Sequence, residues 1–288
     1  MNARELTDQI AAKLAAEVRR NGDIIPYIAE DGVYKTDMRQ KNLSWWTNGF
    51  WAGLLWQMYH AVGIAEFKAT AEKTEGWLDE AMADFTGLHH DVGFMWMLSA
   101  VADYRLTGNE KSRTRAMHAA TLLAGRYNPN GRFLRAWNGD KTGWMIVDCL
   151  MNLSLLYWAS DETGDPRYAE IAQNHADTAL RVLLRPDGSC NHIAVLDPVT
   201  GELTGAPAGQ GYAPGSSWSR GQSWAVYGFA LSAKHTGEAR YLEAAKRSAH
   251  YFIANAATHN WEPLVDFLAP ESPELLDMSA GAIAACGL

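Results

Sequence analysis

The stretch GWMIVDCLMNLSLLYWASDETGDPRYAEIAQNHADTALRVLL, residues 143–184, decides the fold. From Met145 to Ala159 it is apolar on almost every side, and a helix of that kind must be enclosed by protein. After Gly164 the pattern changes: Tyr168, Ile171, His175, Ala179 and Leu183 fall on one stripe, with polar residues opposite, as in a helix half in solvent. Glycine after the last helical residue supplies a left-handed cap, and an acidic residue opening the next helix complements its dipole. The segment reads as a hairpin of one enclosed and one half-exposed helix.

The plan recurs outward in both directions. YRLTGNEKSRTRAMHAATLLAGRY from Tyr104 and AKHTGEARYLEAAKRSAHYFIANA from Ala233 repeat the Thr-Gly turn, at Gly108 and Gly237. A looser copy, HAVGIAEFKATAEKTEGWLDEAMADF, turns at Gly63. The helices before these turns, within FWAGLLWQMYHA, VGFMWMLSAVADY and AVYGFALSA, are again apolar all round. Enclosed helices alternating with half-exposed ones predict an all-α chain, an inner ring wrapped by an outer ring: an α/α toroid. Tetratricopeptide solenoids repeat at a near-constant length of about 34 residues. Here the glycine spacing grows from 45 to 56 to 73 residues. The excess lies in the loops before the enclosed helices, so function is expected there. The longest loop, from Arg185 to Gln222, holds DPVTG as a hairpin turn. Nothing marks a domain boundary, and residues 1–288 read as one domain.

Composition narrows the function. A net charge of −8 speaks against nucleic acid as the main partner. No run of 18 apolar residues predicts a membrane span. The N-terminus reads as an amphipathic helix with Leu6, Ile10, Leu14 and Val18 on one face, not as a signal peptide, and a cytoplasmic setting is expected. Cys149, Cys190 and Cys286 are widely spaced and suggest neither disulfides nor zinc. Twelve Trp suit a large core, and equally a cleft where pyranose faces stack on aromatic rings.

Two carboxylates stand out. Asp91 in LHHDVGFMW and Asp148 in GWMIVDCLMN each head an apolar helix, where an unpaired charge is destabilising or shifts its pKa. A lone Asp there is ordinarily an N-cap. Two of them, facing each other at one mouth of the toroid, would suit acid/base work on a sugar. Trp46, Trp137, His192, Gln210, Trp218 and Arg220 are expected at the same mouth, with Arg220 matched to an acidic sugar or paired with a structural carboxylate. His89-His90-Asp91 is discounted as a metal site, since adjacent side chains point different ways and no H-E-x-x-H is present. Cys149 is read as a buried structural thiol, and GAPAGQGYAPG lacks the Lys-Ser/Thr ending of a phosphate loop.

WTNGFWAG, HHDVGFMW, DCLMNL, SSWSRGQSWAVYGF and DMSAGAIAACGL together resemble the unsaturated glucuronyl hydrolases of glycoside hydrolase family 88, in order from about residue 40 onward. The resemblance implies an (α/α)6 toroid, or six-hairpin barrel, with no cofactor. It implies removal of a 4,5-unsaturated uronic acid from the non-reducing end of lyase-generated oligosaccharides, by hydration of a vinyl ether. Asp148 then matches the principal general acid/base and Asp91 its assisting carboxylate; Trp46, Trp137, His192, Gln210, Trp218, Arg220 and Trp224 match sugar-site positions. Related readings are an unsaturated rhamnogalacturonyl hydrolase, a sugar 2-epimerase on the same toroid, or a sugar-binding toroid without catalysis. Six hairpins close such a ring, while SAGAIAACGL begins a fifth inner helix that ends at Leu288. The ring is therefore expected to be incomplete at its C-terminus, and the chain to self-associate across the gap.

Overall fold

The structure, a computed structural model, describes residues 2–270 and 272–288. The chain divides into two compact units, residues 1–122 and 123–288.

In the first unit, α1 (Ala3–Asn21) is followed by a two-residue ribbon of β1 (Ala29–Glu30) and β2 (Val33–Tyr34) and a single turn, α2 (Met38–Lys41). Then come α3 (Asn48–Val62), α4 (Ala65–Asp84), α5 (Val92–Leu98), α6 (Ala100–Thr107) and α7 (Glu110–Ala124), whose last residues cross into the second unit. Leu55, Trp56, Phe67 and Ala71 are fully enclosed where α3 meets α4. Of the predicted face of α1, Leu14 and Val18 are buried, but Leu6 and Ile10 are 46% and 42% exposed. From Ala11 onward it supplies the buried residues, Ala11, Leu14 and Val18, that join the cluster on α3 and α4.

The enclosed helix predicted after Asp91 is two helices. Ser99, at φ −99° and ψ −85°, ends α5 and opens α6, and its hydroxyl donates to the Met95 carbonyl at 2.6 Å. Such back-bonding by a serine bends or breaks a helix. Helix α3 lies backbone-close against α5: a Cβ on Gly49 would stand 2.3 Å from the Met95 carbonyl oxygen.

In the second unit, β3 (Tyr127–Asn128) and β4 (Phe133–Leu134) form a ribbon. β5 (Trp144–Ile146), β6 (Ile193–Leu196) and β7 (Leu203–Gly205) form an antiparallel sheet in that order. The predicted DPVTG turn joins β6 to β7, with the Asp197 carboxylate accepting from the Val199 and Thr200 N–H groups. The helices are α8 (Cys149–Thr163), α9 (Arg167–Val182), α10 (Ser219–Thr236), α11 (Ala239–Ala257) and α12 (Met278–Gly287). Every residue of α8 from Asn152 to Ala159 is buried, as an enclosed helix requires. Helix α9 buries Tyr168, His175 and Ala179 as expected, with Ala172 and Ala176 completing the stripe where Ile171 was expected.

All four predicted turns hold. Gly63, Gly108, Gly164 and Gly237 take left-handed φ of 70–74°, each N–H closing on the carbonyl four residues back. A side chain at such φ would be strained, which is why glycine stands there. Among the described residues no helix is long and apolar enough to cross a membrane.

Candidate active site

Asp148 is placed by a strand ladder. Trp144, Met145 and Ile146 of β5 pair with Val195, Ala194 and Ile193 of β6, and the Val147 N–H continues the ladder to the His192 carbonyl at 3.0 Å. One residue further on, Asp148 stands at the start of α8 with its Oδ2 3.5 Å from His192 Nε2. It occupies the N-cap position, yet its side chain makes no cap hydrogen bond. That removes the ordinary structural reason for an aspartate there.

The surround is aromatic and enclosed. His192 is buried, its ring 4.5 Å from that of Trp218 and 6.4 Å, edge-on, from Trp137. Trp137 in turn meets Trp144 at 5.8 Å, brought there by the Ala136 N–H bonding to the Trp144 carbonyl. The Gln210 main-chain N–H donates to His192 Nδ1 at 2.9 Å, while residue 210 itself is exposed. Arg220 lies over the Trp218 ring at 5.5 Å, and its Nε and Nη2 bond the Asp277 carboxylate at 2.9 and 2.8 Å. Trp224, one turn further along α10, is buried.

In the first unit Asp91 holds the corresponding place. It opens α5, is 8% exposed, and again makes no side-chain cap hydrogen bond. Phe94, in the first turn of α5, packs at 5.5 Å on both Trp46 and Phe50, so this half too has an aromatic wall. The expectation that His89, His90 and Asp91 point apart is corrected. The chain turns at these residues instead of running as helix or strand, and their donor atoms lie within 4.8 Å of one another. His90 Nε2 stands 3.0 Å from Asp91 Oδ1 and His89 Nδ1 3.5 Å from Oδ2. The three are the group through which this chain could hold a metal ion among the described residues.

Sequence reasoning weighed the histidine pair beside Asp91 and discounted it, allowed Arg220 a structural carboxylate without identifying it as Asp277, and missed Gly209, whose backbone brings Gln210 to His192. A glycine-rich loop was the only signal for the last. Two of the three thiols are enclosed: Cys149 is buried, and burial pushes the Cys190 thiol up to about 12, while Cys286 is exposed.

With this geometry in hand, comparison with known proteins is specific. The model of Glycosyl Hydrolase Family 88 matches residues 19–260. The chain belongs to that family. Its family 88 relatives include the unsaturated glucuronyl hydrolase of Bacillus sp. (strain GL1), 38% identical over 95% of this chain and 73% of the relative. They also include the unsaturated chondroitin disaccharide hydrolase of Streptococcus pyogenes serotype M1, 37% identical over 84% of this chain and 62% of that protein. The chain thus spans about three-quarters of the one and under two-thirds of the other. The crystal structure of the Bacillus sp. GL1 unsaturated glucuronyl hydrolase, described as responsible for degradation of glycosaminoglycan, superposes with a TM-score of 0.90 at 36% identity. It is matched over 96% of this chain and 74% of that one. The α/α-toroid class expected from the sequence is the fold class of this family 88 chain.

Proposed function

We propose that this chain is a hydrolase releasing the 4,5-unsaturated uronic acid from the non-reducing end of lyase-generated oligosaccharides. The observation that carries the reading is Asp148: an aspartate at a helix start, not spent on the cap, set beside a buried histidine in an aromatic pocket. Its family membership supplies the reaction type.

Asp148 gives its proton to C4 of the vinyl ether, and positive charge develops at C5 and the ring oxygen. Water adds at C5 and gives up a proton to the Asp148 carboxylate left by the first transfer, which restores the acid, with Asp91 as the assisting carboxylate. The hemiketal so formed opens to a ketone, leaving a hemiacetal at C1 that expels the remaining saccharide. Trp46, Trp137, Trp218 and Trp224 provide the apolar faces on which the rings lie, and His192 and Gln210 the polar contacts. Arg220 meets the uronate carboxylate with the guanidinium edge that Asp277 leaves open, a charge-assisted contact.

The test is a panel of lyase-generated unsaturated disaccharides, followed by loss of the ultraviolet absorbance of the conjugated double bond. Turnover is expected on unsaturated substrates and none on their saturated counterparts, because protonation at C4 needs the double bond. Comparable rates on a saturated glucuronide would move the chain to ordinary glycoside hydrolysis, in which an acid protonates the leaving oxygen.

A further inference from the structure

His192 is tied at Nδ1. The Gln210 N–H donates to it at 2.9 Å, and a ring nitrogen that accepts a hydrogen bond carries no proton. Neutral His192 therefore bears its proton on Nε2, the nitrogen that stands 3.5 Å from Asp148 Oδ2. The arrangement depends on Gly209, whose φ is +63°. A Cβ at that position would stand 2.1 Å from His192 Nδ1 and 2.7 Å from Ile193 Cδ1. Only glycine lets the main chain close on the ring this way.

We infer that the Gly209–Gln210 loop holds His192 in the tautomer whose nitrogen nearest Asp148 is protonated. A ring nitrogen that already carries hydrogen cannot take the proton Asp148 must deliver to C4. The opposite tautomer would set a basic lone pair beside the acid and compete with C4 for that proton. Gly209 is a positioning residue here, acting through His192. The inference rests on the reading of Asp148 as the general acid.

The experiment is nitrogen NMR of the 15N-histidine-labelled chain, with the His192 signals assigned by their loss in His192→Gln, alongside kinetics of Gly209→Ala. In the wild-type protein at neutral pH, Nδ1 should give an unprotonated shift and Nε2 a protonated one. In Gly209→Ala the tautomer should become mixed or inverted, and kcat should fall about 10²-fold while KM changes far less. A protonated Nδ1 in the wild type overturns the proposal, and so does wild-type kcat in a folded Gly209→Ala protein with a displaced tautomer. If Gly209→Ala does not fold, the wild-type spectrum decides. A wild-type chain that turns over no unsaturated disaccharide would sink the acid reading instead, with the nitrogen shifts unaffected.

Discussion

Asp148 and Asp277 hold the same place in two helices of one unit and are put to opposite use. Asp277 opens α12 with both oxygens engaged: one accepts from the Ala280 N–H and the Ser279 hydroxyl, the other from Arg220. Asp148 opens α8, leaves the cap unmade and turns toward His192. Capping by such a side chain is worth about 0.5–2 kcal/mol, so a position that forgoes it has another use. The difference teaches that the aspartate and the helix start do not define the role. The loop that arrives from elsewhere does.

The sharpest way to break that contrast is Asp148→Asn. The amide keeps the shape and cannot deliver a proton, so kcat should fall by about 10³-fold or more with binding retained. Stability should stay within about 0.5 kcal/mol of wild type, since no cap is lost. An asparagine variant within about tenfold of wild-type turnover, a step of only ~1.4 kcal/mol, would remove Asp148 as the acid. Asp91→Asn tests the assisting role in the same assay and should cost about 10²-fold.

Asp277→Ala should behave the other way round. Losing the cap should lower the denaturation midpoint by the equivalent of about 1 kcal/mol. KM for the acidic substrate should rise as Arg220 loses its anchor, with a smaller change in kcat. A variant of unchanged stability and lost kcat would reverse the assignment of the two aspartates.

The smallest effect on turnover, none at all, is expected on varying a carboxylate with no place in the reaction. Glu75 on α4 is buried, accepts from the Trp56 indole at 2.8 Å, and shares the Ser112 hydroxyl with Asp103 of α6, at 2.8 and 2.5 Å. Arg115 of α7 stands 3.2 Å away and is also paired with Asp79. Burial pushes the Glu75 carboxyl up from 4.5 to about 7, and the charge of Asp103 adds to the rise. Its folded pKa lies above the unfolded one, so the stability it contributes is complete below pH 4.5 and is lost as pH climbs through about 7. Glu75→Gln, which stays uncharged, should flatten that decline in urea midpoints taken from about pH 5 to about pH 8. An unaltered slope would show that Glu75 does not hold the proton.

How much of this was legible in the sequence follows from range. The four glycine turns, the enclosed character of α8 and the aspartates opening α5 and α8 depend on neighbours a few residues away, and the periodicity shows them. The break at Ser99 does not appear in the pattern, because a serine inside an apolar run is unremarkable until its hydroxyl finds a carbonyl. The exposure of Leu6 and Ile10 is equally hidden, since periodicity gives a face but not what covers it. Asp277, 57 residues along the chain from Arg220, and Gly209, 17 from His192, belong to loops whose course no local rule supplies.

The β5–β6 ladder has a consequence for how this chain can change over time. Asp148 and His192 are neighbours because each lies just past the same paired register, Ile146 opposite Ile193. Sliding one strand by a single residue would send alternate side chains to the other face of the sheet and carry His192 away from the acid. Substitutions along Ala194–Leu196 can be absorbed by repacking, and the register already shifts between Val195 and Leu196, whereas a slip of the Ile146–Ile193 pair itself cannot be absorbed. Register at that one pair, more than composition, is the heritable property this ladder holds fixed.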